Sequence, residues 1–403
     1  MKYYFILGSN PALSVAELSA VFGLTKSDVK PLILAENQVF TISLEDEIDA
    51  QELIRQLGGI IKIGKILASS SKNTADLLSN IKNNLKTTDK KYYFGFSNYS
   101  KGLNIKPLAM ELKKFFKEQE KSCRWVVSRD PILSSVVVEQ NNLVDGGAEF
   151  NFFEMGKEIL IGQTLTVQPF KELSHRDYGR PARDDHSGML PPKLAQIMIN
   201  LGTQPHHNPL LVKERGQITL LDPFCGSGTI LTEAMLMGFE NLIGSDISKK
   251  TVEDTNININ WTRNEFQIPN SKFQVYHQSA TELSKILKHA SIDTIVTEPY
   301  LGPQRGQVDI RKIVIELEDL YSKSINEFYK VLKPGGRVVM IWPVFRSKSS
   351  GNIMLSKRIS GQFKITPSLP AYLKNQFRLS NRDTIIYGRA DQKVWREIVV
   401  LTK

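Results

Sequence analysis

Residues Ile218-Thr219-Leu220-Leu221-Asp222-Pro223-Phe224-Cys225-Gly226-Ser227-Gly228-Thr229-Ile230-Leu231 decide the fold. A short apolar and β-branched run ends in an acid, turns through two glycines and resumes as an apolar helix. Glycines at such a turn let backbone approach a ligand closely, and the helix start offers free N–H groups to it. The stretch therefore predicts a nucleotide-like cofactor at the end of a first parallel strand. A dinucleotide fingerprint needs a small residue where Leu231 stands, and a P-loop needs Gly-Lys-Ser or Gly-Lys-Thr, so both are excluded. Asp222 at the strand end suits a cationic amino-acid moiety and would repel a pyrophosphate.

Downstream, the pattern alternates. Strands are expected at Ile218 to Leu221, Leu242 to Asp246, Phe273 to Tyr276, Thr294 to Thr297 and Arg337 to Trp342. Helices are expected at Thr229 to Leu236, Val252 to Trp261 and Leu317 to Leu332. Continuous apolar strands separated by helices predict a doubly wound parallel α/β sheet. Thr384 to Tyr387 and Val394 to Leu401 then predict an antiparallel hairpin added to it. Asp246, ending the second strand, has the position of an acid on ribose hydroxyls, or of a helix N-cap.

Upstream, residues 167 to 190 are polar and turn-rich and are expected to form a linker or a site loop. In that stretch Arg176, Arg180 and Arg183 either meet phosphate or pair with Asp177, Asp184 and Asp185. Pro192 then opens a helix with Leu194, Ile197, Met198 and Leu201 at helical spacing. The chain start reads as a small ferredoxin-like α+β unit over residues 1 to 66. It has strands at Lys2 to Leu7, Val39 to Ile42 and Ile60 to Ile66, and helices after Pro11 and from Glu45 to Leu57. A second α+β unit is expected over residues 67 to 166, with strands at Tyr92 to Phe96, Trp125 to Val127, Ala148 to Phe153 and Ile159 to Thr166. Its main helix runs from Ile105 to Glu118.

The 403 residues carry a formal charge of +10, which favours an anionic partner only weakly. Its distribution is more telling: from Lys62 to Asp130 there are 15 Lys and Arg against 6 acids. Such a stretch is either a solvated surface or an electrostatic footprint for phosphates. Cys123 and Cys225 are the only cysteines, so neither a disulfide scaffold nor a thiolate zinc site is supported. His206 and His207 are adjacent rather than four apart, and no metal is expected. No run of eighteen apolar residues occurs, and the N-terminal apolar stretch is too short for a signal peptide, so a cytoplasmic protein without membrane association is expected.

These residues carry a family resemblance. DPFCGSGT, the acid in Ser245-Asp246-Ile247, the Gln278-Ser279-Ala280 turn, Thr297-Glu298-Pro299-Tyr300 and Leu332-Lys333-Pro334-Gly335-Gly336 resemble the motifs of class I S-adenosylmethionine-dependent methyltransferases. The stretches from Arg176 to Pro181 and Gly188 to Leu201 resemble those before the catalytic domain of THUMP-containing tRNA guanine-N2 methyltransferases of the guanosine-10 type. The resemblance implies an N-terminal ferredoxin-like domain (1–66), a THUMP-like RNA-binding domain (67–166), a linker and first helix (167–205) and a Rossmann-like methyltransferase domain (206–403). It implies S-adenosylmethionine as cofactor and tRNA as partner. A small activating subunit, as some relatives need, is a further expectation, and the chain is expected to be a monomer.

Carried over by position, Asp222, Phe224, Cys225, Gly226, Gly228 and Thr229 hold the methionine part of the cofactor. Asp246 holds the ribose, and Ile247, Ser279 and Ala280 hold the adenine. Position 279 usually carries Asp in this family, and Ser279 is a weaker acceptor. Lys106, Lys113, Lys114, Lys117 and Arg124, with Arg176, Arg180 and Arg183, are expected to bind RNA. The family's amine-directed motif is Asp or Asn, Pro, Pro and an aromatic. Its side-chain acceptor and a backbone carbonyl bind the amine's hydrogens while the aromatic stacks on the extruded base. The sulfonium leaving group already activates the methyl, so the chemistry needs no metal. Here the motif reads Thr297-Glu298-Pro299-Tyr300-Leu301. Either Glu298 is the acceptor and Leu301 replaces the aromatic, or Tyr300 stacks and Thr297 replaces the acid. The preferred reading combines Glu298 as acceptor with Tyr300 as a displaced stacking residue.

Overall fold

The computed structural model describes residues 1–24, 31–85, 91–183, 189–203, 215–268, 271–303, 309–347, 351–389 and 391–403. The chain divides into two compact units, one of Met1–Pro11 with Ser27–Phe170 and one of Ala12–Lys26 with Lys171–Lys403.

The first unit is built on one eight-stranded sheet. Its strands are β1 (Lys2–Leu7), β2 (Leu32–Leu34), β3 (Val39–Ser43), β4 (Ile60–Ser70), β5 (Tyr92–Asn98), β6 (Cys123–Val126), β7 (Gly147–Met155) and β8 (Glu158–Val167). Their order is β2-β3-β1-β4-β8-β7-β5-β6. The boundary expected between residues 66 and 67 falls inside β4, which pairs antiparallel with both β1 and β8 and so carries the sheet across it. Among the described residues four helices belong to this unit: α2 (Ala50–Gln56), α3 (Thr74–Asn83), α4 (Ile105–Glu118) and α5 (Ser135–Gln140). In α4, capped by Asn104, Leu108, Ala109, Leu112 and Phe116 fall on one face and are buried with Tyr92, Phe94 and Phe96 of β5. That register turns Lys106, Lys113, Lys114 and Lys117 to solvent, and Arg124 on β6 is exposed as well.

Beneath the sheet lies a fully buried ion pair. Lys62 donates to Glu149 Oε1 at 2.5 Å and to the carbonyl of Leu133 at 2.6 Å. Ser97 donates to the same carboxylate oxygen at 2.5 Å, and Thr164 donates to Oε2 at 2.6 Å. The network ties β4, β5, β7 and β8 together.

The helix after β1, α1 (Pro11–Val21), groups with the second unit rather than with the ferredoxin-like unit expected from sequence. There its buried Glu17 accepts from Asn200 at 2.8 Å. Asn200 lies on α7 (Pro192–Gly202), which follows α6 (Phe170–Tyr178). The polar stretch expected to be a linker or loop thus begins as a helix. Its buried face carries Leu173 and Arg176, so it is fixed by an ion pair more than by an apolar stripe.

Among the described residues the remaining strands and α-helices are β9 (Thr219–Asp222), α8 (Thr229–Leu236), β10 (Asn241–Asp246), α9 (Lys249–Glu265), β11 (Lys272–His277), β12 (Ile292–Thr297), α10 (Ile310–Val331), β13 (Leu332–Ser347), β14 (Gly351–Met354), β15 (Lys364–Thr366), β16 (Ile385–Tyr387) and β17 (Val394–Thr402). The sheet order is β11-β10-β9-β12-β13-β17-β15, with β14 beside β13 and β16 beside β17. The first five strands are parallel, and β17 lies antiparallel between β13 and β15. This is a doubly wound sheet whose strand order reverses between β9 and β12, where such folds place their ligands. No helix among the described residues is long and apolar enough to cross a membrane.

Candidate active site

At the reversal, Leu221 pairs with Ile295, so the ends of β9 and β12 deliver Asp222 and Thr297 side by side. Asp222 is buried, and its Oδ1 accepts from the Thr297 hydroxyl at 2.7 Å and from the Phe224 amide at 3.2 Å. Burial raises the Asp222 pKa to about 7; the two hydrogen bonds pull it down, and the charges of Asp246 and Glu298 push it further up. Among the described residues no cation pairs with it.

The glycine turn follows. Gly226 has φ +52° and Gly228 φ +84°, the left-handed region that glycine tolerates. A Cβ built on Gly226 would meet nothing within 4 Å, so the loop borders open space. Its outer side is held by neighbours: Thr255 donates to the Gly226 carbonyl at 2.6 Å, Asn258 to the Ser227 carbonyl at 2.8 Å, and Arg180 to the Thr229 hydroxyl at 2.6 Å. Sequence reasoning missed Thr255 and Asn258. With Val252, Ile259 and Thr262 they are buried on α9, and polar residues recurring at helical spacing on that face were the available signal.

Asp246 is fixed by two amides, Ser248 to Oδ1 at 2.9 Å and Gly226 to Oδ2 at 3.1 Å. Beside it Ile247 is 74% exposed, an apolar side chain offered to a flat ring rather than to the core. Buried Cys225 donates its amide to Ser245 at 3.0 Å. Ser279 caps a short 3₁₀ turn, its Oγ accepting from the Thr281 amide at 3.3 Å, while Ala280 is buried. These residues fit S-adenosylmethionine: an acid without a cation for an ammonium, a second acid for hydroxyls, a glycine cradle and an exposed aliphatic beside it.

Across β12, Thr297 is committed to Asp222 and turned to the cofactor side. Glu298 Oε1 accepts from Arg396 Nε of β17 at 2.6 Å, with both side chains 13% exposed. Burial raises the Glu298 pKa, and the Arg396 charge and hydrogen bond draw it back. Pro299 is buried; Tyr300 is 59% exposed, and its carbonyl accepts from the Tyr321 hydroxyl at 2.8 Å. Leu301, which replaces the usual aromatic if Glu298 takes the acid position, is buried at 7% exposure and presents no face for stacking.

The expected arginines separate. Arg176 makes a bidentate pair with buried Glu233 at 2.8 and 3.1 Å, and buried Arg180 lies 3.8 Å from Asp177. The RNA contact expected for these two is thus corrected to an internal ion-pair network supporting the glycine turn. Arg183 lies over the Tyr178 ring at 5.1 Å. Asp184, Asp185, His186, His206 and His207 lie outside the described residues. Among the described residues no cluster of three or more His, Cys, Asp or Glu could hold a metal.

Comparison with known proteins agrees with this geometry. A family model described as an RMKL-like methyltransferase domain matches residues 180–354. A DNA methylase model matches residues 53–257, which include the glycine turn and stop short of Glu298. The chain is 23% identical to the tRNA (guanine(10)-N2)-dimethyltransferase of Pyrococcus abyssi over 85% of this chain and 88% of that one. It is 28% identical to the Methanocaldococcus jannaschii protein of the same name, over 51% of this chain and about half (52%) of that one's length. A Methanothermococcus thermolithotrophicus protein named "Probable tRNA (guanine(10)-N2)-dimethyltransferase" is 30% identical over 33% of this chain and 75% of its own length. The crystal structure of TrmN from Thermus thermophilus shares the fold, with a TM-score of 0.50 and 16% identity over 100% of both chains. On its fold, its cofactor-shaped strand ends and these relatives, the chain belongs to the tRNA (guanine(10)-N2)-dimethyltransferase family of S-adenosylmethionine-dependent methyltransferases.

Proposed function

We propose that this chain methylates tRNA, moving a methyl group from S-adenosylmethionine to the exocyclic N2 of the guanosine at position 10. One observation carries the reading. Adjacent strand ends present a buried acid without a cation, Asp222, and an acid beside an exposed aromatic, Glu298 and Tyr300. The names of the relatives support the choice of base and position.

When bound, S-adenosylmethionine would supply an electrophilic methyl to N2 and would leave as S-adenosylhomocysteine, the electrons of the broken C–S bond staying on sulfur. Asp222 holds the ammonium, and Thr297 and the Phe224 amide aim its carboxylate. Asp246 accepts from the ribose, Ile247 and Ser279-Ala280 flank the adenine, and the turn from Gly226 to Thr229 admits the methionine end. Glu298 accepts an N2 hydrogen, which turns the nitrogen lone pair out of the guanine ring and toward the methyl, and then receives the proton that N2 releases. Tyr300 stacks on the extruded base, and Pro299 stiffens the turn between them.

Residues 67–166 act as a THUMP-like RNA-binding domain after a ferredoxin-like segment at 1–66. The lysines of α4, with Arg124 and Arg183, meet tRNA phosphates. We place the protein in the cytoplasm as a monomer, and activity of the purified chain alone decides whether a small activating subunit is needed.

The test compares methyl transfer to a tRNA transcript and to duplex DNA by wild type and Glu298→Ala. Transfer to tRNA is expected, with the variant losing about 10²–10³-fold in kcat while its tRNA affinity holds. Full activity in the variant overturns the acceptor assignment, and preferential transfer to DNA overturns the substrate.

A further inference from the structure

Glutamate is one methylene longer than the aspartate of the usual motif, so its carboxylate needs an outside hold to stand in a single position. Arg396 supplies one, from a strand 98 residues later in the chain. We infer that Arg396 is a positioning residue for methyl transfer: it grips Oε1 of Glu298 from β17 and leaves Oε2 to accept the target amine. The inference rests on the acceptor role proposed for Glu298.

Three features of the site favour this division of labour. The contact is a single charge-assisted bond through Nε at 2.6 Å, rather than the two-oxygen grip that Arg382 makes on Glu397 at 2.7 and 2.6 Å one residue along the same strand. Among the described residues nothing donates to Glu298 Oε2, although the carboxylate is largely enclosed. From the other side, the Tyr321 hydroxyl of α10 holds the Tyr300 carbonyl at 2.8 Å, so the backbone that carries the acid is fixed as well.

Among the described residues the titratable and charged groups facing Glu298 are Arg396 of β17, Tyr321 of α10 and Asp222 of β9. Burial raises the Tyr321 pKa well above its ordinary value, with Glu298 adding to the rise, so that hydroxyl stays neutral. Among the described residues Arg396 is the cation beside Glu298, and its charge and hydrogen bond draw down a carboxyl pKa that burial raises, which favours the ionised form that accepts over the protonated form that donates.

The experiment is a double-mutant cycle of Arg396→Gln and Glu298→Gln in the full chain, with kcat, KM for S-adenosylmethionine and the pH profile of kcat on tRNA. Arg396→Gln is expected to lower kcat by roughly a hundredfold, to leave KM for the cofactor within about twofold, and to move the acidic limb of the profile to higher pH. Arg396→Lys keeps a cation at Oε1 and is expected to restore most of the rate and the original limb. In the Glu298→Gln background, where the side chain does not titrate, Arg396→Gln should add less than about a twofold loss. A wild-type kcat and limb in Arg396→Gln overturns the inference, as does an undiminished loss in the Glu298→Gln background. A fully active Glu298→Gln enzyme overturns instead the acceptor reading beneath it. Should Arg396→Gln fail to fold, the same cycle with Arg396→Lys decides, because its smaller loss must also vanish beside Glu298→Gln.

Discussion

Two regions bury acids that are satisfied differently, the sheet of the first unit around Glu149 and the strand ends of the second unit around Asp222 and Glu298. In the first unit Glu149 is filled: Lys62 and Ser97 donate to one oxygen and Thr164 to the other. In the second, Asp222 receives only neutral donors, and among the described residues Glu298 has a cation on one oxygen and nothing on the other. A filled network fixes strands and has no capacity left for a ligand. An unfilled one costs stability until a cation or an amine arrives, which is how a binding site differs physically from a structural ion pair.

The sharpest way to break this contrast is to remove a charge from each set. Lys62→Met strands a buried carboxylate and is expected to destabilise the protein by about 3–5 kcal/mol in denaturant unfolding, with cofactor affinity unchanged in whatever remains folded. Asp222→Asn should do the reverse. It is expected to weaken S-adenosylmethionine binding by about a hundredfold or more in calorimetry and to raise the melting temperature of the cofactor-free protein at pH 8. The sign follows from linkage. The Asp222 pKa is raised from 3.8 to about 7 in the fold, so between those values the native state holds the extra proton. Stability from this group therefore falls as pH rises through that window and is lowest above it. A drop in melting temperature for Asp222→Asn would make Asp222 a structural acid like Glu149.

A smaller effect sharpens the same point. Because a cationic ligand needs the ionised carboxylate, cofactor affinity should fall roughly eightfold between pH 7.5 and pH 6 as Asp222 takes up its proton. The Asn variant should show no such dependence. The smallest change is expected on the first unit's surface. Reversing Lys113 and Lys117 to Glu should weaken tRNA binding several-fold and flatten its salt dependence by about one unit of slope for each phosphate no longer neutralised. Cofactor affinity should not move, and an unaltered salt slope would leave the α4 face a solvated surface.

Much of the second unit was legible because its signals are local. The residues from Ile218 to Leu231 hold strand, turn and helix in one stretch, and α8 begins at Thr229 as the sequence indicates. The helix of α4 was equally plain, since its apolar residues recur at helical spacing. What escaped is non-local or short. β2 and β15 are three-residue edge strands with too little pattern to register. α6 has little apolar periodicity, because Arg176 and Glu233, 57 residues apart, hold it in place. The continuity of the first sheet depends on β4 meeting β8, a pairing of segments about a hundred residues apart in sequence. Arg396 gave no motif signal for the same reason: only the antiparallel placement of β17 against β13 carries it to the end of β12. At the site, the two possible alignments of Thr297 to Leu301 look alike in sequence. What the sequence does not display is their burial, with Thr297 turned to Asp222, Leu301 enclosed and Tyr300 open to solvent.

The most direct test of the central claim is site mapping of the methyl group. Purified protein, labelled S-adenosylmethionine and a tRNA transcript are incubated, and the RNA is digested and read by mass spectrometry beside a transcript with guanosine 10 replaced by adenosine. N2-methylated guanosine confined to position 10, absent from the replaced transcript and from the Glu298→Ala reaction, is the predicted result. Methyl groups at another nucleotide, or equal transfer to the replaced transcript, would contradict it.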